Sequence, residues 1–363
     1  MELDPMQQSY MEKFDLFVDG DELYSSMLST IATAENTIDF ESYIFADDVV
    51  GNQFAKALVQ RAQQGVSIRL HLDAVGSMFA ASRHLEKYLR NGGVQVQWFH
   101  RWNWRRPWRY NRRNHRKLLV IDNKIAFLGG FNIHKENSRK SYGDSCWRDT
   151  HIRFEGPVTH AASQIFDAFW RGCRVHTNDL QNTETVLLHN PTRSCRHRLR
   201  CTYMASFLAA ESCIYITTPY FVPDHRLLKH MKQAARRGVD VRLLVPRISD
   251  VRIAQWAARH FYASLIKAGV QIYEYLPRVL HAKTVVVDDT WSAIGTANLD
   301  YRSFFLNYEL TLATNNHMLA KGLREQFLSD LNVSEKILLR NWNTRSRLSN
   351  ILEHMAAMFR RWL

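Results

Sequence analysis

Hydrophobic and polar positions along the chain predict strands that alternate with helices. The segment AENTIDFESYIFADD, residues 34–48, is a β-branched and aromatic run that ends in a polar turn, as a buried strand does. The segment RAQQGVSIRLHLD, residues 61–73, has helical spacing up to Gly65 and continues as an apolar strand. This alternation predicts an α/β fold in which helices flank a mostly parallel sheet.

The same pattern occurs a second time, and the first pair of blocks aligns at an offset of 176 residues. The matching blocks are 34–48 with 210–224, 61–73 with 234–246, and 91–99 with 267–275. We therefore predict two homologous halves packed around a pseudo-twofold axis. Their expected bounds are 15–175 and 183–330, followed by a basic amphipathic helical segment at 331–363.

Each half carries one copy of the pattern H-x-K-x4-D. Alternate side chains of a strand share a face, so the histidine and the lysine of each copy can address one bound group. A glycine and an asparagine follow each histidine at matched spacing, 14 and 17 residues later. The residues are His115, Lys117, Asp122, Gly129 and Asn132, and His281, Lys283, Asp288, Gly295 and Asn298. A half-exposed strand would explain one copy, but not two copies in matched register.

These side chains suit the chemistry of an anionic phosphodiester. One neutral imidazole can attack phosphorus, while the other, protonated, donates to the departing oxygen and then deprotonates the incoming alcohol. Lys117 and Lys283, with the amides of Asn132 and Asn298, would hold the non-bridging oxygens. We expect no metal and no other cofactor. Asp122 and Asp288 fall at odd spacing and are interpreted as residues that organise turns.

The duplicated motif resembles the phospholipase D superfamily over most of residues 35–315. The segments TPYFVPD (218–224), RRGVDVRLLVPR (236–247) and GTANLDYRSFFLNYE (295–309) resemble bacterial cardiolipin synthases, here without N-terminal transmembrane helices. The resemblance implies conversion of two phosphatidylglycerol molecules to cardiolipin and glycerol through a phosphohistidine. The alternatives are a phospholipase D hydrolase and a phosphodiesterase or nuclease of the same superfamily.

The resemblance also assigns roles within the site. It implies that carboxylates orient the histidines, with Asp149, 34 residues after His115, and Glu309, 28 residues after His281, as candidates. By analogy it makes His115 the nucleophile and His281 the acid and base. Gly130 and Thr296 stand where the family often has serine, which removes a side-chain phosphate contact from the first half.

Charge points to a polyanionic partner, since 48 lysines and arginines exceed 35 acidic residues and give a net charge of +13. No secretory signal and no apolar run long enough for a transmembrane helix are visible. Five cysteines without a CxxC pair indicate reduced thiols rather than a disulfide framework.

We therefore expect a peripheral membrane protein on the cytoplasmic face of the bacterial inner membrane. Its expected partner is an anionic phospholipid membrane containing phosphatidylglycerol and cardiolipin. Nucleic acid is disfavoured as a partner, and protein partners are left open.

The segment 98–113 carries four tryptophans and six arginines without an acidic residue. Tryptophan suits the headgroup level and arginine is attracted to anionic lipid, so the segment is interpreted as a membrane-docking loop. The alternatives are a nucleic-acid-binding loop and a substrate flap. The docking residues are Trp102, Trp104, Arg105, Arg106 and Trp108. The C-terminal helical pattern could lie in the membrane interface or pack on its own domain.

Overall fold

The computed structural model describes residues 12–78, 80–101, 103–105, 110–173, 184–343 and 345–359. The strands are β1 (Lys13–Phe17), β2 (Thr37–Ser42), β3 (Ser67–Asp73), β4 (Gln95–Phe99), β5 (Leu118–Ile121), β6 (Ile125–Gly129), β7 (His151–Glu155), β8 (Thr185–His189), β9 (Cys213–Thr217), β10 (Phe221–Val222), β11 (Asp240–Pro246), β12 (Gln271–Tyr275), β13 (Thr284–Val287), β14 (Trp291–Gly295), β15 (Leu299–Asp300), β16 (Leu310–Thr314) and β17 (Ser334–Lys336).

The helices are α1 (Gly20–Ala32), α2 (Val49–Gln63), α3 (Arg83–Asn91), α4 (Arg139–Tyr142), α5 (Pro157–Trp170), α6 (Arg193–Ala209), α7 (His225–Arg236), α8 (Arg252–Ile266), α9 (Tyr301–Phe305), α10 (His317–Leu331), α11 (Leu339–Asn343) and α12 (Arg347–Met358). The last residues of the first repeated blocks start two of them. Asp48 accepts hydrogen bonds from the amides of Val50 and Gly51, and Asp224 accepts one from the amide of Leu227. These side chains satisfy amides that have no partner within the helix.

The first sheet has seven strands in the order β1-β7-β6-β5-β2-β3-β4. Strands β2, β3 and β4 are parallel, because helices α2 and α3 connect them, whereas the other neighbours pair antiparallel. A tight turn between β5 and β6 makes that pair antiparallel. Its residues Asp122 and Asn123 have φ angles of 50° and 57°, as a type I′ turn requires.

The second sheet repeats this arrangement in the order β17-β12-β11-β9-β13-β14-β16-β8. Strands β9, β11 and β12 are parallel, and the turn at Asp288 and Asp289 has φ angles of 53° and 56°. The prediction of two homologous α/β halves is confirmed. The parallel arrangement holds for the three core strands of each sheet, and the hairpin strands make each whole sheet mixed.

The two sheets pack face to face. One buried apolar cluster joins Leu128 and Ile152 of the first sheet to Ile294 and Leu312 of the second. A second apolar cluster lies between the first sheet and its outer helices, and a third lies between the second sheet and its outer helices. Burial of apolar surface on both sides of each sheet therefore stabilises the two halves as one unit.

The last part of the chain extends the second half. Strand β17 pairs antiparallel with β12, and α12 packs on α8, where the rings of His354 and His260 lie 5.0 Å apart. Glu353 and Ala356 are the buried residues of this contact. The exposed face of this segment is apolar and comprises Ile351, Leu352, Met355, Met358 and Phe359. None of the helices within the described ranges is long and apolar enough to cross a membrane.

Candidate active site

The two histidine motifs lie where the halves exchange short backbone pairings. The amide of His115 donates to the carbonyl of Tyr308 (2.9 Å), and the amide of His281 donates to the carbonyl of Arg148 (2.7 Å). The histidine and the lysine of each motif therefore lie just before β5 and β13, not on a strand as the sequence predicts, and each motif is held there by the opposite half. Arg148 also forms a buried ion pair with Asp330 (2.8 Å), which ties the first half to α10 of the second.

Each histidine contacts a carboxylate that comes from the other half. His281 Nδ1 lies 2.6 Å from Asp149 Oδ2, and His115 Nδ1 lies 3.0 Å from Glu309 Oε2. A carboxylate accepts a hydrogen bond from Nδ1–H, which leaves Nε2 as the ring nitrogen available for chemistry. The predicted orienting residues thus reach the histidines, and they do so across the interface between the halves.

Burial sets the protonation of the histidines. It lowers the pKa of His115 to about 4, despite the opposing attraction of Glu309. Burial and the nearby ammonium of Lys283 also lower the pKa of His281. Burial alone would raise the pKa of Asp149, but the charge of Lys283 and the contact with His281 outweigh it, so its pKa is lowered. The free site therefore holds neutral imidazoles against ionised carboxylates at neutral pH.

Each motif lysine contacts the backbone of the histidine in its own motif. Lys117 Nζ donates to the carbonyl of His115 (2.8 Å), and Lys283 Nζ donates to that of His281. Burial, together with the charge of Lys283, lowers the pKa of Lys117 to about 7, and burial lowers that of Lys283 to about 8. A bound anion would stabilise the charged form of both lysines, because it would compensate their loss of solvation.

Both histidines line one cavity of about 340 Å³, to which both halves contribute. Asn132 and Asn298 lie on its wall, as the motif spacing predicts. Asn132 Oδ1 accepts a hydrogen bond from the amide of Ile44 (3.1 Å), which fixes its amide group. The full lining consists of Tyr43, Ile44, His115, Asn132, Trp147, Tyr220, Val222, Asp250, Val251, Ala254, His281, Asn298, Asp300, Arg302 and Asn307. In the described parts of the chain, no group of three or more histidine, cysteine, aspartate or glutamate side chains is placed to hold a metal ion.

Gly130 and Thr296 match the carboxylates beside them. A Cβ atom on Gly130 would lie 2.0 Å from Asp149 Oδ1, so only glycine leaves room for that carboxylate. At the equivalent position, the hydroxyl of Thr296 donates to Glu309 Oε2 (2.5 Å). Gly130 and Thr296, which depart from the family pattern, therefore provide space for one orienting carboxylate and a hydrogen bond to the other.

The motif aspartates lie outside the cavity lining. Asp122 accepts hydrogen bonds from the amides of Glu35, Asn36 and Thr37 at 2.7–2.8 Å. Asp288 accepts the equivalent bonds from the amides of residues 211, 212 and 213. Both side chains organise the start of the first core strand of their sheet.

The docking segment is only partly described. Trp102, Arg106 and Trp108 lie outside the described residues, whereas Trp104 has 74 % of its surface exposed and Arg105 stacks over it. One arginine of the segment, outside the predicted docking residues, does not reach the surface. Arg113 is buried beside Asp73, with NH1 3.5 Å from its carboxylate, because its backbone joins the pairing with Tyr308.

Sequence reasoning missed several residues of the cavity. Tyr220 and Asp250 form a hydrogen-bonded pair on its wall, and Trp147 lies with its ring 5.3 Å from that of His281. Tyr220 belongs to the repeated segment TPYFVPD, which could have drawn attention to it. Asp250 and Trp147 belong to no repeated motif and carry no such signal.

Comparison with known proteins places the chain in a family. The sequence profile described as "Cardiolipin synthase, PLD-like domain" matches residues 27–170 and 203–331. The chain belongs to this family. A cardiolipin synthase of Clostridium perfringens strain SM101 is 34% identical over 356 residues, which cover 93% of this chain and 74% of the relative. Cardiolipin synthase A of Pseudomonas entomophila is 34% identical over 349 residues, covering 93% of this chain and 72% of the relative.

The fold of this family member also matches solved structures. Phosphatidylserine synthase of Haemophilus influenzae Rd KW20 superposes with a TM-score of 0.71 at 11% identity, covering 96% of this chain and 93% of the other. Polyphosphate kinase of Porphyromonas gingivalis gives a TM-score of 0.63 at 11% identity, covering 92% of this chain and 49% of the other. At these identities the matches establish the two-half fold alone.

Proposed function

We propose that this chain is a cardiolipin synthase that transfers the phosphatidyl group of one phosphatidylglycerol to the headgroup of a second and releases glycerol. The observation that carries the proposal is the pair of histidines in one cavity, each held by a carboxylate of the opposite half. The named relatives in the same family support the choice of reaction.

The first step uses His115 as the nucleophile. Glu309 accepts a hydrogen bond from Nδ1–H of His115, so the Nε2 lone pair attacks phosphorus and forms the N–P bond. The bond from phosphorus to the glycerol oxygen breaks, and His281 donates a proton to that oxygen. The bound phosphodiester raises the pKa of His281, since an adjacent negative charge favours the imidazolium.

The second step regenerates the enzyme. A headgroup hydroxyl of the second phosphatidylglycerol attacks phosphorus, His281 takes its proton, and the N–P bond to His115 breaks. Cardiolipin then leaves, with His115 neutral and His281 protonated for the next cycle. Water in place of the second lipid would give phosphatidic acid instead.

The two lysines and two asparagines would stabilise the transferring phosphoryl group. Lys117 and Lys283 supply positive charge next to the histidines whose carbonyls they contact, and Asn132 and Asn298 line the cavity. Fixed charges and dipoles in a site of low dielectric stabilise the transition state strongly, because they need no reorganisation.

The proposal includes docking on anionic lipid at the cytoplasmic face of the bacterial inner membrane. Trp104 and Arg105 are exposed, and the predicted docking residues Trp102, Arg106 and Trp108 belong to the same stretch of sequence, 98–113. The exposed apolar face of α12 offers a second contact. Mixed aromatic, apolar and basic surfaces suit the interfacial region of a bilayer.

Product analysis tests the proposed reaction. Purified protein is incubated with phosphatidylglycerol vesicles, and the lipids are identified by mass spectrometry. We expect cardiolipin and glycerol, and loss of turnover in both His115→Ala and His281→Ala. Phosphatidic acid as the sole product would indicate a hydrolase, and cardiolipin formation at the normal rate by either variant would contradict the two-histidine mechanism.

A further inference from the structure

The two walls of the cavity differ in chemistry. Ile44 and Tyr220 occupy equivalent positions of the repeat, and both line the cavity. On the His115 side, Ile44 is apolar and the ring of Tyr43 lies 4.9 Å from that of His115. On the other side, the hydroxyl of Tyr220 donates to Asp250 Oδ2 at 2.5 Å, and both acidic residues of the lining, Asp250 and Asp300, belong to the second half. The ring of Tyr220 lies 6.4 Å from that of His281, so the polar wall belongs to the His281 side.

The polar wall presents hydrogen-bond acceptors, and the guanidinium of Arg302, which also belongs to the lining, is engaged in hydrogen bonds to the side chain and carbonyl of Asn111. Asp250 is an exposed carboxylate at the rim of the cavity, and burial together with Asp250 raises the pKa of Tyr220, which keeps its hydroxyl protonated. Among the described residues, the buried Oδ1 atoms of Asn298 and Asn307 have no hydrogen-bond partner, although both residues line the cavity. The other acidic residue of the lining, Asp300, is engaged in capping α9 through the amide of Ser303 (2.6 Å).

Phosphate oxygens only accept hydrogen bonds from the protein, so these acceptors do not suit the phosphate itself. They suit a group that donates hydrogen bonds, such as an alcohol with more than one hydroxyl. In a displacement at phosphorus, the leaving or entering oxygen lies opposite the nucleophile. With His115 as nucleophile, that oxygen lies on the side of His281, Tyr220 and Asp250.

We propose that Asp250, positioned by Tyr220, forms the subsite for the alcohol and selects an alcohol that carries a second hydroxyl, as the glycerol headgroup does. The inference rests on the proposed function, because it assigns the acceptor side of the same transfer. The reacting hydroxyl gives its proton to His281 as its oxygen forms the bond to phosphorus and the N–P bond to His115 breaks. The second hydroxyl donates to Asp250 and undergoes no chemical change.

A competition between alcohols tests the subsite. The donor is a soluble short-chain phosphatidyl-p-nitrophenol, whose leaving group has no second hydroxyl, and equal concentrations of glycerol and 1-propanol compete as acceptors. We expect the wild type to favour glycerol by at least about tenfold, since a hydrogen bond to a charged group is strong. Asp250→Ala should bring the ratio near one by lowering transfer to glycerol while transfer to 1-propanol continues.

Three further variants sharpen the result. Asp250→Asn keeps an oxygen acceptor at nearly the same volume and should retain much of the glycerol preference. Tyr220→Phe removes the hydroxyl that holds Asp250 and should reduce the preference. Asp144→Ala, at an exposed aspartate paired with Arg139, should leave the ratio unchanged and serves as the control.

The outcomes separate the inference from the proposed function. An unchanged ratio in Asp250→Ala, or no glycerol preference in the wild type, would overturn the subsite while transfer itself stands. Replacement of 1-propanol by ethanolamine provides another arm, and a preference for ethanolamine over glycerol that Asp250→Asn abolishes would assign the carboxylate to an ammonium group instead. Hydrolysis without transfer to any alcohol would overturn the proposed function, and the subsite with it.

Discussion

At the scale of single residues, the two half-sites are similar but not identical. His281 pairs with the shorter Asp149, next to Gly130, whereas His115 pairs with the longer Glu309, next to Thr296. The sequence predicted these residues, but it associated each carboxylate with the histidine of its own half, and the structure exchanges the partners. The contacts join residues 132 and 194 positions apart, and spacing along the chain carries no information about such exchange.

Gly130 gives the first prediction. In Gly130→Ala the new Cβ would displace the Asp149 carboxylate from His281, and a misplacement of about 1 Å in a catalytic group can cost on the order of 100-fold in kcat. We expect a loss of this size in kcat with little change in KM. Steady-state kinetics on a soluble substrate measure it. Gly322→Ala, whose Cβ would meet only Leu16 at 3.6 Å, is the control. Normal kcat in Gly130→Ala would contradict the role of Asp149.

The pH profile gives the second prediction. Catalysis needs His115 neutral, so activity should fall as pH drops through about 4, the pKa of His115. Activity should also fall as pH rises. His281 loses its proton first, and then Lys117, with a pKa of about 7, and Lys283, with a pKa of about 8, lose theirs. Bound phosphate favours the protonated forms, so the alkaline limb of kcat should lie at higher pH than that of kcat/KM. An acidic limb near 6.5 would show that His115 titrates as an exposed histidine.

At the scale of secondary-structure elements, the hairpin turns connect each motif to its sheet. The aspartate of each motif sits in a turn with positive φ and holds the amides that begin the neighbouring core strand. This role follows from the sequence, since the aspartate falls where the strand pattern ends. The side chain between histidine and lysine points to the opposite face, as the alternation predicts, but its burial was not predictable. Arg116 is buried there with its guanidinium 3.7 Å from the ring of Phe169.

Asp122 gives the third prediction. Asp122→Ala removes an acceptor for three amides and places alanine at a φ of 50°, so unfolding should become easier by about 2–3 kcal/mol. Asp122→Asn tolerates the positive φ and keeps one oxygen acceptor, and should lose less. Equilibrium urea unfolding measures both. Stability equal to the wild type, combined with lost phosphate affinity, would show that Asp122 acts on substrate.

The docking elements give the fourth prediction. Replacing Trp104 with alanine, and Met355 and Phe359 with serine, removes exposed apolar surface from the loop and from the α12 segment. We expect binding to anionic vesicles to weaken by about tenfold or more in combination, and the remaining binding to depend more steeply on salt. Vesicle sedimentation measures binding, and turnover of a soluble short-chain substrate should stay normal. Normal sedimentation with reduced soluble turnover would instead place these side chains in the catalytic pocket.

At the scale of the whole molecule, the two duplicated halves form one site by exchanging residues with each other. The repeat alone predicted two similar halves and a shared cavity. The structure adds that each half supplies one histidine and the carboxylate for the other half's histidine. Neither half therefore holds a complete histidine–carboxylate pair, and the buried apolar interface between the sheets keeps both pairs assembled. The pairing of Tyr220 with Asp250 was not predictable, because Asp250 belongs to no repeated motif.

The most direct test of a single site that works through one covalent intermediate is to map that intermediate. Protein is mixed rapidly with a soluble phosphatidylglycerol, quenched under alkaline conditions that preserve phosphohistidine, digested and analysed by mass spectrometry. His281→Ala should form less adduct from this substrate, because His281 protonates the leaving glycerol, whereas a p-nitrophenyl donor, whose leaving group needs no acid, should still label His115. We expect a phosphatidyl adduct on His115 alone, absent in His115→Ala. An adduct on His281, or equal labelling of both histidines, would contradict it.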